Sequence, residues 1–122
     1  MLYANSGAVI ECAGQILGQQ ASVPKSPAER DSKGNVNLCL AAAVAQAGFL
    51  LRGSTSQATE LAEELARTKS KDRLRCAFVQ LGWDVADCNA KLGFNDQAPD
   101  ATRKADVLAY LGSAAVDAVQ AS

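Results

Sequence analysis

Apolar residues recur at steps of three and four along most of the chain. Val9, Ile10, Ala13, Ile16 and Leu17 form the first such stripe, the signature of a helix with one buried side. Asn5 or Ser6 before it is a suitable N-cap and Gly18 a natural stop. Ala21 to Val36 shows no apolar period and reads as loop. Pro24 and Pro27 block helix continuation there, and Asp31-Ser32-Lys33-Gly34 reads as a turn. A short hairpin is the alternative for this stretch, with Asn35 to Leu38 on its return arm. From about Asn37 to Leu51 the chain is apolar on nearly every side, as in a helix at the centre of a bundle. Asn37 is its candidate N-cap, and Gly53 follows its end.

Ser54 opens a third helix, with Gln57 at capping-box spacing. Ala58, Leu61, Ala62 and Leu65 lie on its inner side, while Glu60, Glu63, Glu64 and Arg67 face water. Ser70 restarts the pattern with Leu74, Ala77, Phe78 and Leu81, and Gly82 ends it. Asp84 and Asp87 bracket the start of a short fifth helix with Val85, Cys88 and Leu92, closed by Gly93. Phe94 to Pro99 reads as a loop. The last helix, from Asp100 or Thr102, carries Val107, Leu108, Leu111, Ala115, Val116 and Val119. The pattern predicts an all-α fold: one domain over residues 1–122, a compact bundle of about five to six helices, with a hairpin over 21–38 as the one candidate for β structure.

Composition supports helix, since aromatics are only 5% of the chain and strands draw on aromatic and β-branched residues. A net charge of -1 does not create the broad positive field of a nonspecific nucleic-acid or anionic-membrane binder. The longest apolar run, Leu38 to Leu51, contains Gln46 and is too short to span a bilayer. Met1 to Asn5 lacks a basic n-region and Glu11 interrupts the first apolar stretch, so the expected location is cytoplasmic. Cys12, Cys39, Cys76 and Cys88 form no CxxC pair, and each falls inside a helical pattern. They read as small buried apolar residues before disulfide partners or zinc ligands.

The chain contains no histidine. This removes Ser-His-Asp and Cys-His nucleophile systems and every metal site that needs imidazole. Carboxylate pairs, lysine Schiff bases, carboxylate-bound magnesium and thiol redox chemistry stay open. No Gly-x-Gly-x-x-Gly or Gly-x-x-x-x-Gly-Lys loop is present. Glu60, Glu63 and Glu64 share one helix without a second acidic motif to complete a carboxylate cage. No cofactor and no metal is therefore expected.

A few residues stand out as candidate sites. Cys39 falls in the first turn of the second helix, where the dipole and free N–H groups lower a thiol's pKa. Its neighbours Leu38 and Leu40 favour a buried structural thiol. Trp83, if exposed beside Asp84 and Asp87, would anchor a ligand or partner helix, whereas the average tryptophan closes the end of a core. Asn95 and Asp96 could hold a cation or a ligand amine, and Asx turns are their commoner role. Arg67, Lys69, Lys71, Arg73 and Arg75 form the basic cluster, which with Leu61 to Ala66 resembles a helix-turn-helix. Asp72 stands where that motif needs an apolar residue, and Glu60, Glu63 and Glu64 would repel phosphate.

Lys33-Gly34-Asn35-Val36-Asn37-Leu38-Cys39-Leu40-Ala41-Ala42-Ala43 is a glycine turn leading into a Cys-Leu-x-Ala helix start. Phe94-Asn95-Asp96, with Thr102, Val107, Leu108 and Leu111 after it, is an aromatic-Asn-Asp loop before a closing helix. In this order the two segments resemble a family of small uncharacterised bacterial proteins defined as a domain of unknown function. The likeness covers about a third of the chain and departs at Phe94, where the family pattern has Trp. It implies a compact helical bacterial domain and singles out Cys39, Asn95 and Asp96.

The expected function is a non-enzymatic binding or accessory module, its partner a protein or a second copy docked through an Ala-rich helix face. The alternative is a small enzyme or ligand carrier with a small-molecule pocket near Trp83, Asn95, Asp96 and Cys39. A helix-turn-helix-like nucleic-acid binder is the third reading. No membrane partner is expected.

Overall fold

The computed structural model describes residues 6–92 and 98–121, with Lys91 and residues 114–121 described through their backbone. Among the described residues the chain runs α1 (Gly7–Gln19), β1 (Ala28–Arg30), β2 (Val36–Leu38), α2 (Leu40–Leu51), α3 (Thr55–Thr68), α4 (Lys71–Gln80), α5 (Val85–Leu92) and α6 (Arg103–Ala121). The fold is all-α with a short antiparallel hairpin. None of the described helices is long and apolar enough to cross a membrane.

The apolar second helix is the hub. Contacts join α2 to α1, α3, α4, α5 and β2, while α6 packs on the far side of α1. Leu40, Ala42, Ala43, Val44, Ala45, Ala47, Gly48 and Phe49 of α2 are all buried. Small side chains let neighbouring elements approach the α2 backbone closely. Gly48 is the tightest case: a Cβ there would lie 2.7 Å from Cη2 of Trp83 and 3.1 Å from both Leu81 methyls. Glycine is thus required at 48 by packing.

The hairpin holds its register through one carboxylate. Ala28 faces Leu38, Glu29 faces Asn37, and Arg30 faces Val36. Oδ1 of Asp31 accepts from the Lys33 and Asn35 amides at 2.9 and 3.0 Å, and Nδ2 of Asn37 donates to Oδ2 at 3.3 Å. Those donors, the Asn35 amide foremost, hold the Asp31 carboxyl below its ordinary pKa. Gly34 completes the turn at φ 83°, a conformation open to glycine at little cost. On the open edge of β2, the carboxamide of Gln20 reaches across from the end of α1. Its Oε1 accepts from the Leu38 amide at 2.8 Å, and its Nε2 donates to the Leu38 carbonyl at 3.0 Å.

Two expected caps are corrected. Asn37 does not cap α2, because β2 pairs it with Glu29 and its amide is engaged with Asp31. Cys39 takes that place, with Sγ accepting from the Ala42 amide at 3.5 Å. Ser54 does occupy the N-cap position of α3, yet at φ -95°, ψ 59° its side chain makes no capping bond. The capping box with the exposed Gln57 is accordingly not formed. Ser70 caps α4 as expected, its Oγ accepting from the Arg73 amide at 3.0 Å.

Candidate functional site

A cleft of about 290 Å³ opens beside the N-terminus of α2. Three parts of the chain build it: the segment entering β1, the start of α2, and the facing sides of α4 and α5. Pro27, Cys39, Leu74, Phe78 and Leu92 are buried and form its apolar floor. Lys25, Lys71, Arg75 and Asn89 are exposed and form its rim. Helical spacing explains the α4 contribution. Lys71, Leu74, Arg75 and Phe78 lie at i, i+3, i+4 and i+7, and so share one face.

The electrostatics of the cleft are one-sided. Among the described residues its lining includes two lysines and an arginine and no carboxylate. Nη1 of Arg75 lies 2.9 Å from Oδ1 of Asp72, an exposed pair on the α4 surface. Lys25 and Lys71 make no hydrogen bond or ion pair among the described residues. Two ammonium groups therefore stand over an apolar floor.

The four residues singled out from the sequence meet different fates. Cys39 lines the cleft, but it is 6% exposed and its sulfur caps α2. Trp83 is 5% exposed and belongs to the core. It packs against Gly48, with its ring centroid 6.2 Å from that of Phe78, one layer behind the cleft wall. Asn95 and Asp96, like Gly93 and Phe94, lie outside the described residues; Leu92, shortly before them in the chain, lines the cleft. The structure thus brings Cys39 to a cavity and places Trp83 behind that cavity's aromatic wall.

The basic cluster does not act as a unit. Nε of Arg73 bonds Oε2 of Glu64 at 2.6 Å across the α3–α4 junction, and Nζ of Lys69 donates to the Ala28 carbonyl at 3.0 Å. Lys71 and Arg75 turn instead to the cleft. Sequence reasoning grouped these five cations by proximity and missed this division, which the i, i+4 spacing of Lys71 and Arg75 could have signalled. Lys25 carried no such signal, since it sits in an aperiodic loop.

Among the described residues no three His, Cys, Asp or Glu side chains gather as a metal site. All four cysteines are free thiols. Burial pushes the Cys12 thiol above its ordinary pKa, which favours the protonated and unreactive form. The class these features define is a small helical scaffold with a cation-rimmed, apolar-floored cleft. No protein-family model, curated protein or solved structure matches the chain.

Proposed function

We propose that this protein is a non-enzymatic binding module whose cleft receives a small amphiphilic anion, a carboxylate on a short alkyl or aryl group. The observation behind this reading is the pairing of an apolar floor, Pro27, Leu74, Phe78 and Leu92, with Lys25 and Lys71 at the rim, the described lining residues including no carboxylate. A small-molecule site is typically an apolar concavity with a few placed polar groups that orient the ligand. The apolar part of the ligand lies on Phe78 and Leu74, and its charge meets the two ammonium groups. Cys39 supports the wall as a helix cap and takes no chemical part.

The resemblance to small bacterial proteins, with the bacterial origin it implies, and the cytoplasmic setting expected from the sequence belong to the same proposal. Four free thiols suit a reducing compartment. Ala42, Ala43, Ala45 and Ala47 of α2 are buried within the chain, so a homodimer would use another face. Nucleic-acid binding is not favoured, because in the basic cluster Arg73 already faces Glu64 and Lys69 bonds the Ala28 carbonyl.

The test is a titration with phenylacetate and hexanoate, followed by the emission of Trp83, the single tryptophan. Its contact with Phe78 makes it a reporter of the cleft wall. Saturable binding is expected, weakened about tenfold in the Lys25→Ala, Lys71→Ala double variant and absent for the corresponding neutral amides. Equal binding of acids and amides, or an unchanged double variant, would overturn the proposal.

A further inference from the structure

A second and larger opening, of about 710 Å³, lies between the hairpin, the end of α1 and α3. Its size falls in the range of small-molecule sites, and its chemistry is the reverse of the cleft's. Five carboxamides line it: Gln19, Gln20, Asn35, Asn37 and Gln46.

Asn37 is the informative residue. It is 3% exposed, although asparagine prefers the surface. Its Nδ2 is engaged with Asp31, while its Oδ1 accepts no hydrogen bond among the described residues and is not sealed from solvent. The groove is the opening on which Asn37 lies. Gln46 repeats the arrangement from α2. Its Nε2 donates to the Ala58 carbonyl at 3.1 Å, and its Oε1 has no donor among the described residues. Each carboxamide is thus anchored through its nitrogen and leaves its oxygen available. A latch for the Asp31 turn needs only the Nδ2 of Asn37. Its oxygen, open to solvent on the groove side, is left over for a donor.

Charge selects among hydrogen-bond donors. Among the described residues, Asp31 and Glu63 line the groove against one cation, Lys33. Glu63 is bound from outside by Arg30, which does not line it, while the Asp31 oxygens accept from neutral donors with the Lys33 charge nearby. Carbonyl oxygens beside a carboxylate match an ammonium group that carries further donors. We infer that this groove binds a small donor-rich ammonium compound, with the Asn37 and Gln46 oxygens accepting its N–H or O–H groups and Asp31 facing its charge.

The experiment is a ligand-observed NMR titration of the full chain with glucosamine and with spermidine, and with N-acetylglucosamine as the uncharged comparison. Thr59 is exposed on α3 and lines the groove, so Thr59→Phe fills it from outside the core. Thr59→Arg adds a competing cation at the same place. At least one ammonium probe is expected to saturate, with affinity lost about tenfold in both Thr59 variants and unchanged when Lys25 and Lys71 of the cleft are replaced. No saturation below about 10 mM, binding of N-acetylglucosamine equal to that of glucosamine, or binding indifferent to both Thr59 variants would overturn the inference.

Discussion

The cleft and the groove are built from the same α2-centred scaffold by opposite means. The cleft draws on helix faces, where Leu74, Phe78 and Leu92 are buried first and Lys71 and Arg75 stand above them. The groove draws on a turn and a helix end, where backbone and carboxamide groups fix one another. In the first, the lining residues also hold the fold together; in the second, they sit largely on the hairpin and its flanks. Damage to the cleft should therefore cost global stability, and damage to the groove should stay local.

Phe78→Ala is the severest test of that difference. Phe78 is 1% exposed and walls the cleft, so its loss should cost about 3–5 kcal/mol in urea unfolding. Gly48→Ala acts from behind the wall, where the new methyl meets Trp83 and Leu81. A loss of about 1–3 kcal/mol and a shifted tryptophan emission are expected. Cys39→Val removes the cap on Ala42 and should cost about 1 kcal/mol, whereas Cys39→Ser keeps a capping atom and should stay near the parent. If Ser binds phenylacetate as well as Cys does, the sulfur has no role beyond the cap.

Acid should separate the two regions by locality. Asp31 has a lowered pKa in the folded chain, with the Asn35 amide as the chief cause. Its stabilising contribution is thus complete above the unfolded value, about 3.9, and is lost as pH falls through the folded value. Amide exchange at Lys33 and Asn35 should quicken over that window while amides of α4 stay protected. Equal quickening in both places would mean that the hairpin is not an independent unit. The smallest effect belongs to Lys25→Ala and Lys71→Ala, each expected within about 0.5 kcal/mol of the parent.

The helices were legible because a buried stripe at helical period writes itself into consecutive residues, as Leu74, Ala77, Phe78 and Leu81 do. The turn at Asp31 to Gly34 was legible from its residue types, and the return arm from the polar break before Leu38. The caps were not. Asn37 and Ser54 have capping side chains, but whether an Asx or Ser oxygen finds the third amide depends on its own φ, ψ and on rival partners. Asp31, six positions away, claimed Asn37. The cleft was half visible. Cys39 attracted notice through its helix start, but Lys25 reaches it by a tertiary path that no local pattern encodes.

The two bonds from Gln20 to Leu38 also bear on self-association. A two-stranded hairpin leaves its outer edge as a template on which another chain can add a strand. Gln20 offers the Leu38 edge a carboxamide in place of a peptide group, so the donor and acceptor that a neighbouring molecule would seek are already answered. A single side chain at the end of α1 thereby serves as the last strand of the sheet, and guards the chain against growing onto copies of itself.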